Sequence, residues 1–204
     1  MHPEILTSNQ EKLLPLVKKF SKNFGLVGGT AIALHLGHRR SIDFDLFTLK
    51  KFDSLGVRRK ILANNGTIEA VLRKRIDDYT LMINKVQFTF FYYPFPIRFS
   101  NTFKKTVRLP NLLTLAAMKA HALGHRNKWK DYVDLYFILQ DYHSVNDISL
   151  QAKRIFKGEF NERIFREQLS YFQDIDYSEP IDYLPGYEIS DKKIKQELIK
   201  LSLN

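Results

Sequence analysis

The stretch Val27–Leu46, VGGTAIALHLGHRRSIDFDL, constrains the fold more than any other part of this chain. A short apolar run, Leu26-Val27, leads into Gly28-Gly29 and then into Thr30-Ala31-Ile32-Ala33-Leu34, which reads as a helix start. Glycines carry no Cβ, so backbone N–H groups at such a turn can approach a ligand closely. A helix N-terminus beside the turn favours anions. Thr30 is either the N-cap of that helix or a hydroxyl offered to a phosphate. About a dozen residues later, Ile42-Asp43-Phe44-Asp45-Leu46 alternates apolar and acidic residues. At a strand period of two, Ile42, Phe44 and Leu46 point to one face and Asp43 and Asp45 to the other. Their Cα atoms then lie roughly 6.5 Å apart. That spacing lets both carboxylates reach one divalent cation, or a pair of ions about 3.5–4 Å apart. Each half also has an ordinary reading, as a capped tight turn and as a solvent-facing strand. Together they describe a phosphate-cradling turn beside a metal-binding strand. The link His38-Arg39-Arg40-Ser41 places two arginines directly before the acids, where they either offset polyphosphate charge or decorate a loop.

The net charge of +10 is unevenly spread. Tyr79–Lys130 contains no Asp or Glu and holds Lys85, Arg98, Lys104, Lys105, Arg108, Lys119, Arg126, Lys128 and Lys130. Phe88, Phe90, Phe91, Tyr92, Tyr93, Phe95, Phe99 and Phe103 interleave with them. Basic and aromatic residues in alternation suit phosphate contacts with base stacking. Val86–Tyr92 also reads as a buried strand, which assigns most of the aromatics to packing. The charge asymmetry points to an anionic partner.

Elsewhere, Ser8-Asn9-Gln10-Glu11 reads as a capping box opening an amphipathic helix. Val27 opens the first strand and Ile42–Phe47 is the second. A helix is expected over Ser54–Asn64. Strands are expected over Ile68–Arg75, Tyr79–Ile83 and Val86–Tyr92, the last two joined by a hairpin at Asn84-Lys85. Asn111 caps a helix that Gly124 ends, and Lys130–Leu139 forms the next. Later helices are placed at Ser149–Lys157, Glu162–Tyr171 and Asp191–Leu203, with Asp174–Tyr187 as a surface loop. Strands first and helices afterwards argue α+β. The expected division is a mixed-sheet core over residues 1–110 and a helical region over 111–204 that completes the cleft.

Gly28-Gly29-Thr30, Gly37-His38-Arg39, Ser41 and Asp43-Phe44-Asp45-Leu46-Phe47 resemble the nucleotidyltransferase-fold toxins of the AbiEii/AbiGii family of type IV toxin–antitoxin systems. Met118-Lys119-Ala120-His121-Ala122-Leu123 looks like the family's helical lysine motif. Arg126 with Lys130-Asp131-Tyr132-Val133-Asp134-Leu135 looks like its basic-Asp-x-x-Asp-Leu motif. The resemblance implies a nucleotidyltransferase fold and transfer of a nucleoside monophosphate from an NTP to an acceptor hydroxyl, with the basic window favouring RNA such as a tRNA 3′ end. It implies Asp43 and Asp45 as ligands of Mg²⁺ (or Mn²⁺), and Asp131 as a third active-site acid. Gly28, Gly29, Thr30, Arg39, Ser41 and Lys119 become candidates for nucleotide binding. Lys104, Lys105, Arg108, Arg126 and Lys130 are candidates for the acceptor. A cognate antitoxin protein is the implied partner. The strand that would carry a third carboxylate, Val86–Tyr92, offers Gln87 and Thr89 instead.

Lys119 sits in an otherwise apolar helix, where it either snorkels to solvent or projects into the cleft towards a triphosphate. Asp131 and Asp134 share a helix face; Asp134 is read as bracing that helix against basic neighbours. With no cysteine, disulfides and Cys-ligated metals are excluded. No apolar run reaches membrane-spanning length, and no secretory pattern opens the chain, so a cytoplasmic protein is expected. Three rivals stand beside the main reading. An Asp-x-Asp glycosyltransferase would need a nucleotide-binding half before the motif. A non-catalytic RNA-binding or antitoxin-binding protein leaves the paired acids unexplained. A phosphohydrolase would use water as acceptor.

Overall fold

The computed structural model of the chain describes residues 1–203. Helix α1, Ser8–Phe20, is capped one residue earlier than the sequence suggests. Thr7 Oγ1 accepts from Gln10 N, and Gln10 Oε1 accepts in return from Thr7 N. A threonine followed three positions later by glutamine satisfies two orphan donors at once, which Ser8 with Glu11 does not do here. Leu13, Leu16, Val17 and Phe20 form the buried face of α1.

Strand β1 spans Gly25–Val27, so Val27 ends the strand rather than opening it. Helix α2, Gly28–Leu36, begins at the next residue without an intervening loop. Strand β2 is Phe44–Thr48, helix α3 is Ser54–Leu62, and β3, β4 and β5 are Ile68–Lys74, Asp78–Ile83 and Val86–Tyr92. Their order in the sheet is β1-β2-β5-β4-β3. Strand β2 pairs antiparallel with β1 and parallel with β5, setting Val27 and Thr89 on either side of Asp45. The β4–β5 hairpin turns at Asn84 and Lys85, with φ of 47° and 65°; both residues left-handed is the turn that matches strand twist. Phe44, Leu46, Phe88 and Phe90 lie in the core, where Phe20 and Phe24 close on Phe90 at 4.8 and 5.4 Å between ring centroids.

Residues Asn101–Phe103 and Val107–Leu109 form β6 and β7, a second, two-stranded sheet that the sequence reading leaves as loop. Lys104 and Lys105 occupy its turn at φ of 46° and 53°. Two lysines give no turn signal there, because Asn-Gly is what such a turn favours. Helices α4 (Leu112–Leu123), α5 (Trp129–Asp141), α6 (Val145–Phe156), α7 (Glu162–Ser170) and α8 (Asp191–Leu203) complete the chain. Asn111 caps α4 by accepting from Thr114 N. Helix α6 starts four residues ahead of its expected position, because Ser144 and Asp147 form a capping box. Helices α4 and α5 both pack on α2, which brings their polar side chains to the end of β2. Among the described residues no helix is long and apolar enough to cross a membrane.

Candidate active site

Gly28 has φ of +70°, and a Cβ there would meet Asp45 Oδ2 at 2.1 Å. The start of α2 therefore lies directly on the Asp45 carboxylate, and only glycine fits. A Cβ on Gly29 would meet Arg39 Nη2 at 2.7 Å and Ser41 Oγ at 3.1 Å. Turn, arginine, serine and aspartate, separated by up to seventeen positions, thus share one small volume. Gly28→Ala is expected to lower stability by about 2 kcal/mol, since both a left-handed φ and a hard contact oppose it. It should also weaken nucleotide binding; urea unfolding and a nucleotide titration check the two effects separately.

Thr30 is not the N-cap. Val27 holds that position, without a side-chain bond. The Thr30 hydroxyl donates to the Asp43 carbonyl at 2.5 Å and lies 3.0 Å from Ser41 Oγ. Buried Gln10 donates from Nε2 to the Ser41 carbonyl at 2.8 Å. These bonds pin residues 41–43 against α1 and α2. The strand expected over Ile42–Phe47 therefore starts only at Phe44, leaving Ile42 and Asp43 ahead of β2. Ile42 is exposed, so the alternating apolar face begins only at Phe44.

Asp43 and Asp45 are both partly buried. Desolvation raises the Asp43 carboxyl, against the pull of Lys130 and Lys128. The Asp45 carboxyl is pushed up to about 6, first by loss of solvent and then by the charge of Asp43, while Arg126, Lys119 and Thr89 pull it back. A shielded pair of like-charged carboxylates is a donor set that a divalent cation would relieve.

The basic and acidic side chains predicted to meet ligand are largely engaged with one another. Asp134 on α5 is fully buried and accepts from Arg39 Nε and Nη2 at 2.8 and 2.9 Å. His38 Nε2 lies 2.8 Å from the same carboxylate, and Lys119 Nζ lies 2.9 Å from Asp134 Oδ2. Lys119 also pairs with Asp131, which takes a fork from Arg126 at 2.7 and 3.0 Å. Burial alone would raise both α5 acids. Arg39, Lys119 and His38 instead hold Asp134 well below the usual carboxylate range, and Lys119 and Arg126 hold Asp131 below it. Burial keeps His38 below its ordinary value. The sequence leads one to expect Lys119 and Arg39 extended towards a triphosphate. Both are instead folded onto Asp134, because a carboxylate with no exposure demands full pairing. Asp131, expected as a third acid beside Asp43 and Asp45, faces Lys119 and Arg126, the two cations that act on Asp45.

The acceptor candidates fall into two groups. Lys104, Lys105 and Arg108 are exposed on the β6–β7 hairpin, with Arg108 Nη2 donating to the Lys22 carbonyl at 3.2 Å. Arg126 and Lys130 lie beside the acids instead. Three residues at the site had no role read from the sequence: His38, Lys128 and Glu179. His38 belongs to the same motif as Arg39, whereas Glu179 meets Lys128 from 51 positions away and gives no local signal. A cavity of about 570 Å³ lies elsewhere, lined by Arg98, Asn111, Gln151 and Arg154 among others, and contains none of the expected site residues.

A family model described as nucleotidyl transferase AbiEii toxin, type IV TA system, matches residues 16–194. An uncharacterised protein of Aquifex aeolicus (strain VF5) is 28% identical over 182 residues, covering 86% of each chain. The fold is similar to that of JHP933 from Helicobacter pylori, at 20% identity over 97% of this chain and 92% of that one, with a TM-score of 0.62. It is also similar to MenT4, a nucleotidyltransferase toxin of Mycobacterium tuberculosis H37Rv, at 12% identity over 95% and 80%, with a TM-score of 0.59.

Proposed function

The chain belongs to the nucleotidyl transferase AbiEii toxin family, and from that premise we propose a Mg²⁺-dependent transfer of a nucleoside monophosphate from an NTP to a hydroxyl of RNA, the tRNA 3′ end being the first acceptor to test. The carrying observation is the contact between the α2 turn and Asp45: phosphate-binding backbone and metal-binding carboxylate share one wall. Family membership weighs against the glycosyltransferase and non-catalytic alternatives.

Asp43 and Asp45 would hold the cation, which when bound neutralises phosphate charge and polarises the α-phosphate. The backbone N–H groups of Gly28 and Gly29 at the α2 N-terminus would bind phosphate oxygens. Ser41, pinned beside Gly29, would add a hydroxyl. Arg39 and Lys119 would set the positive field around the polyphosphate while Asp134 fixes their positions. The acceptor hydroxyl oxygen attacks the α-phosphorus and gives up its proton to solvent. The bond from that phosphorus to the β-bridging oxygen breaks, and pyrophosphate leaves with the electron pair. Positioning and charge neutralisation carry such a reaction. Incubating the protein with each α-labelled NTP, Mg²⁺ and total cellular RNA tests it. A labelled RNA band is expected with at least one NTP; released phosphate without labelled RNA would assign a hydrolase instead.

RNA is favoured over a protein acceptor by the β6–β7 hairpin. Lys104 and Lys105 occupy backbone positions that Asn-Gly would fill with less strain, which argues that their charge is wanted there. Replacing Lys104 and Lys105 with asparagine and Arg108 with serine should flatten the salt dependence of RNA affinity. At about 0.7 per phosphate on single strands, three contacts amount to roughly 2 in the log–log slope. NTP binding should stay unchanged. An unaltered slope would assign the hairpin no part in RNA binding.

A further inference from the structure

The segment 171–190 between α7 and α8 is stitched across the candidate site at two places. At one side Trp129 N donates to the Asp176 carbonyl at 3.0 Å, and Asp176 N to the Asn127 carbonyl at 2.8 Å. At the other, Arg40 N donates to the Asp182 carbonyl at 2.8 Å and Leu184 N to the His38 carbonyl at 3.1 Å. The span between these anchors carries Glu179. Its carboxylate pairs with Lys128 through one oxygen and lies 2.9 Å from Lys130 Nζ through the other. The three side chains are only partly exposed, with Lys130 at 24% and Glu179 at 40%. The two lysines hold Glu179 below the usual carboxylate range. All three lie close enough to Asp43 to act on its charge, the lysines favouring the carboxylate and Glu179 opposing it. Glu179 also acts on Arg39. A carboxylate thus sits between two ammonium groups within electrostatic reach of Asp43 and Arg39.

We propose that Lys128 and Lys130 form a seat for the polyphosphate of the incoming nucleotide, and that Glu179 fills this seat until the nucleotide displaces it. The inference rests on the nucleotidyl-transfer reading above and deepens it. Two lysines two positions apart at the start of α5 bind their anion as point charges, so one carboxylate can exchange for one phosphate. An anion of higher charge density wins that exchange, because Glu179 must also be held against Asp43 and is half open to water. Release needs no unfolding of the strap. Its anchors are backbone hydrogen bonds at residues 176, 182 and 184, and Glu179 lies between them. The pairing lowers the apparent affinity for nucleotide by the fraction of time the seat is filled.

The test is a calorimetric titration with inorganic tripolyphosphate, and in parallel with a nucleoside triphosphate and with the free nucleoside, all in Mg²⁺. Glu179→Gln should tighten tripolyphosphate and NTP binding about three- to tenfold, the range expected for one partly exposed carboxylate held by two lysines. It should leave the nucleoside unchanged. In a background of Lys128→Ala with Lys130→Ala, both anions should bind more weakly, and Glu179→Gln should then yield no gain, since the carboxylate has no seat left to block. A gain that persists without the lysines would mean Glu179 acts only through its general field, and would overturn the seat. Weaker NTP binding in Glu179→Gln would also overturn it, by making Glu179 a contact for ligand or metal. If NTP binds but no variant behaves as expected, the seat fails and nucleotidyl transfer stands. If neither NTP nor tripolyphosphate binds any variant, both fail together.

Discussion

Asp45→Asn should abolish nucleotidyl transfer and at the same time make the metal-free protein more stable at neutral pH. Loss of one charged ligand removes several kcal/mol of transition-state stabilisation, or a rate loss of roughly 10³-fold or more. The stability effect has the opposite sign. The Asp45 carboxyl rises from 3.8 to about 6 in the folded chain, so the fold prefers its protonated form. Its contribution to stability is fully present below about pH 4 and is lost as pH climbs through 6. At pH 8 the ionised carboxylate costs the metal-free chain about 2 kcal/mol, allowing for partial solvent access. Asparagine removes that cost. Thermal melts in chelator should show the variant ahead of the native chain at pH 8 and level with it at pH 4. Added Mg²⁺ should raise the native melting point and leave the variant unmoved. Transfer activity of the native chain should fall below pH 6, where protons compete with the cation. A variant that keeps the native rate, or a native melting curve without this pH trend, would remove Asp45 from the metal site.

Asp134→Ala should produce the largest loss of stability of any single substitution at the site. The residue has no exposure and serves Arg39, His38 and Lys119 together. Removing one partner from a buried pair costs about 3–5 kcal/mol, because the remaining charge stays desolvated. In a chain of this size that lowers the melting temperature by about 10 °C. Pairing Asp134→Leu with Arg39→Met should recover part of the loss, since an apolar replacement needs no partner. Melting and urea unfolding of the three proteins decide the matter. A drop under 1 kcal/mol for Asp134→Ala would mean that water reaches these cations.

The sequence announces local features of this molecule and conceals its pairings. Asn84-Lys85, Asn111 with Thr114, and the alternation through Phe44-Asp45-Leu46 each satisfy their hydrogen bonds or bury their faces within a few residues, so spacing alone reveals them. The β6–β7 hairpin escaped because its strands have three residues each and its turn carries lysines in place of glycine or asparagine. The sequence marks both aspartates, Lys119 and Arg39 as candidates, and the structure brings these side chains into one region. It does not mark their present partners. Arg39 meets Asp134 across 95 positions, and which cation a buried acid recruits depends on tertiary packing. The same holds for Glu179, one acid among many in a segment that reads as plain loop.

The strap that crosses residues 38–40 is also among the last parts of the chain to be synthesised. Tyr187 bonds the Leu36 carbonyl from 151 positions away, and Arg40 and His38 wait for residues 182 and 184. Contacts of such long sequence separation carry a large loop-closure cost and slow folding. At 5–20 residues per second of synthesis, the glycine turn leaves the ribosome roughly 10–30 s before the segment that closes over its neighbours. Until residues 176–187 emerge, the nascent chain carries the aspartates and then the α5 acids without the strap. A chain that ends before residue 176 has the glycine turn and both aspartates but no strap, and the backbone groups of His38 and Arg40 then lack their partners at residues 182 and 184.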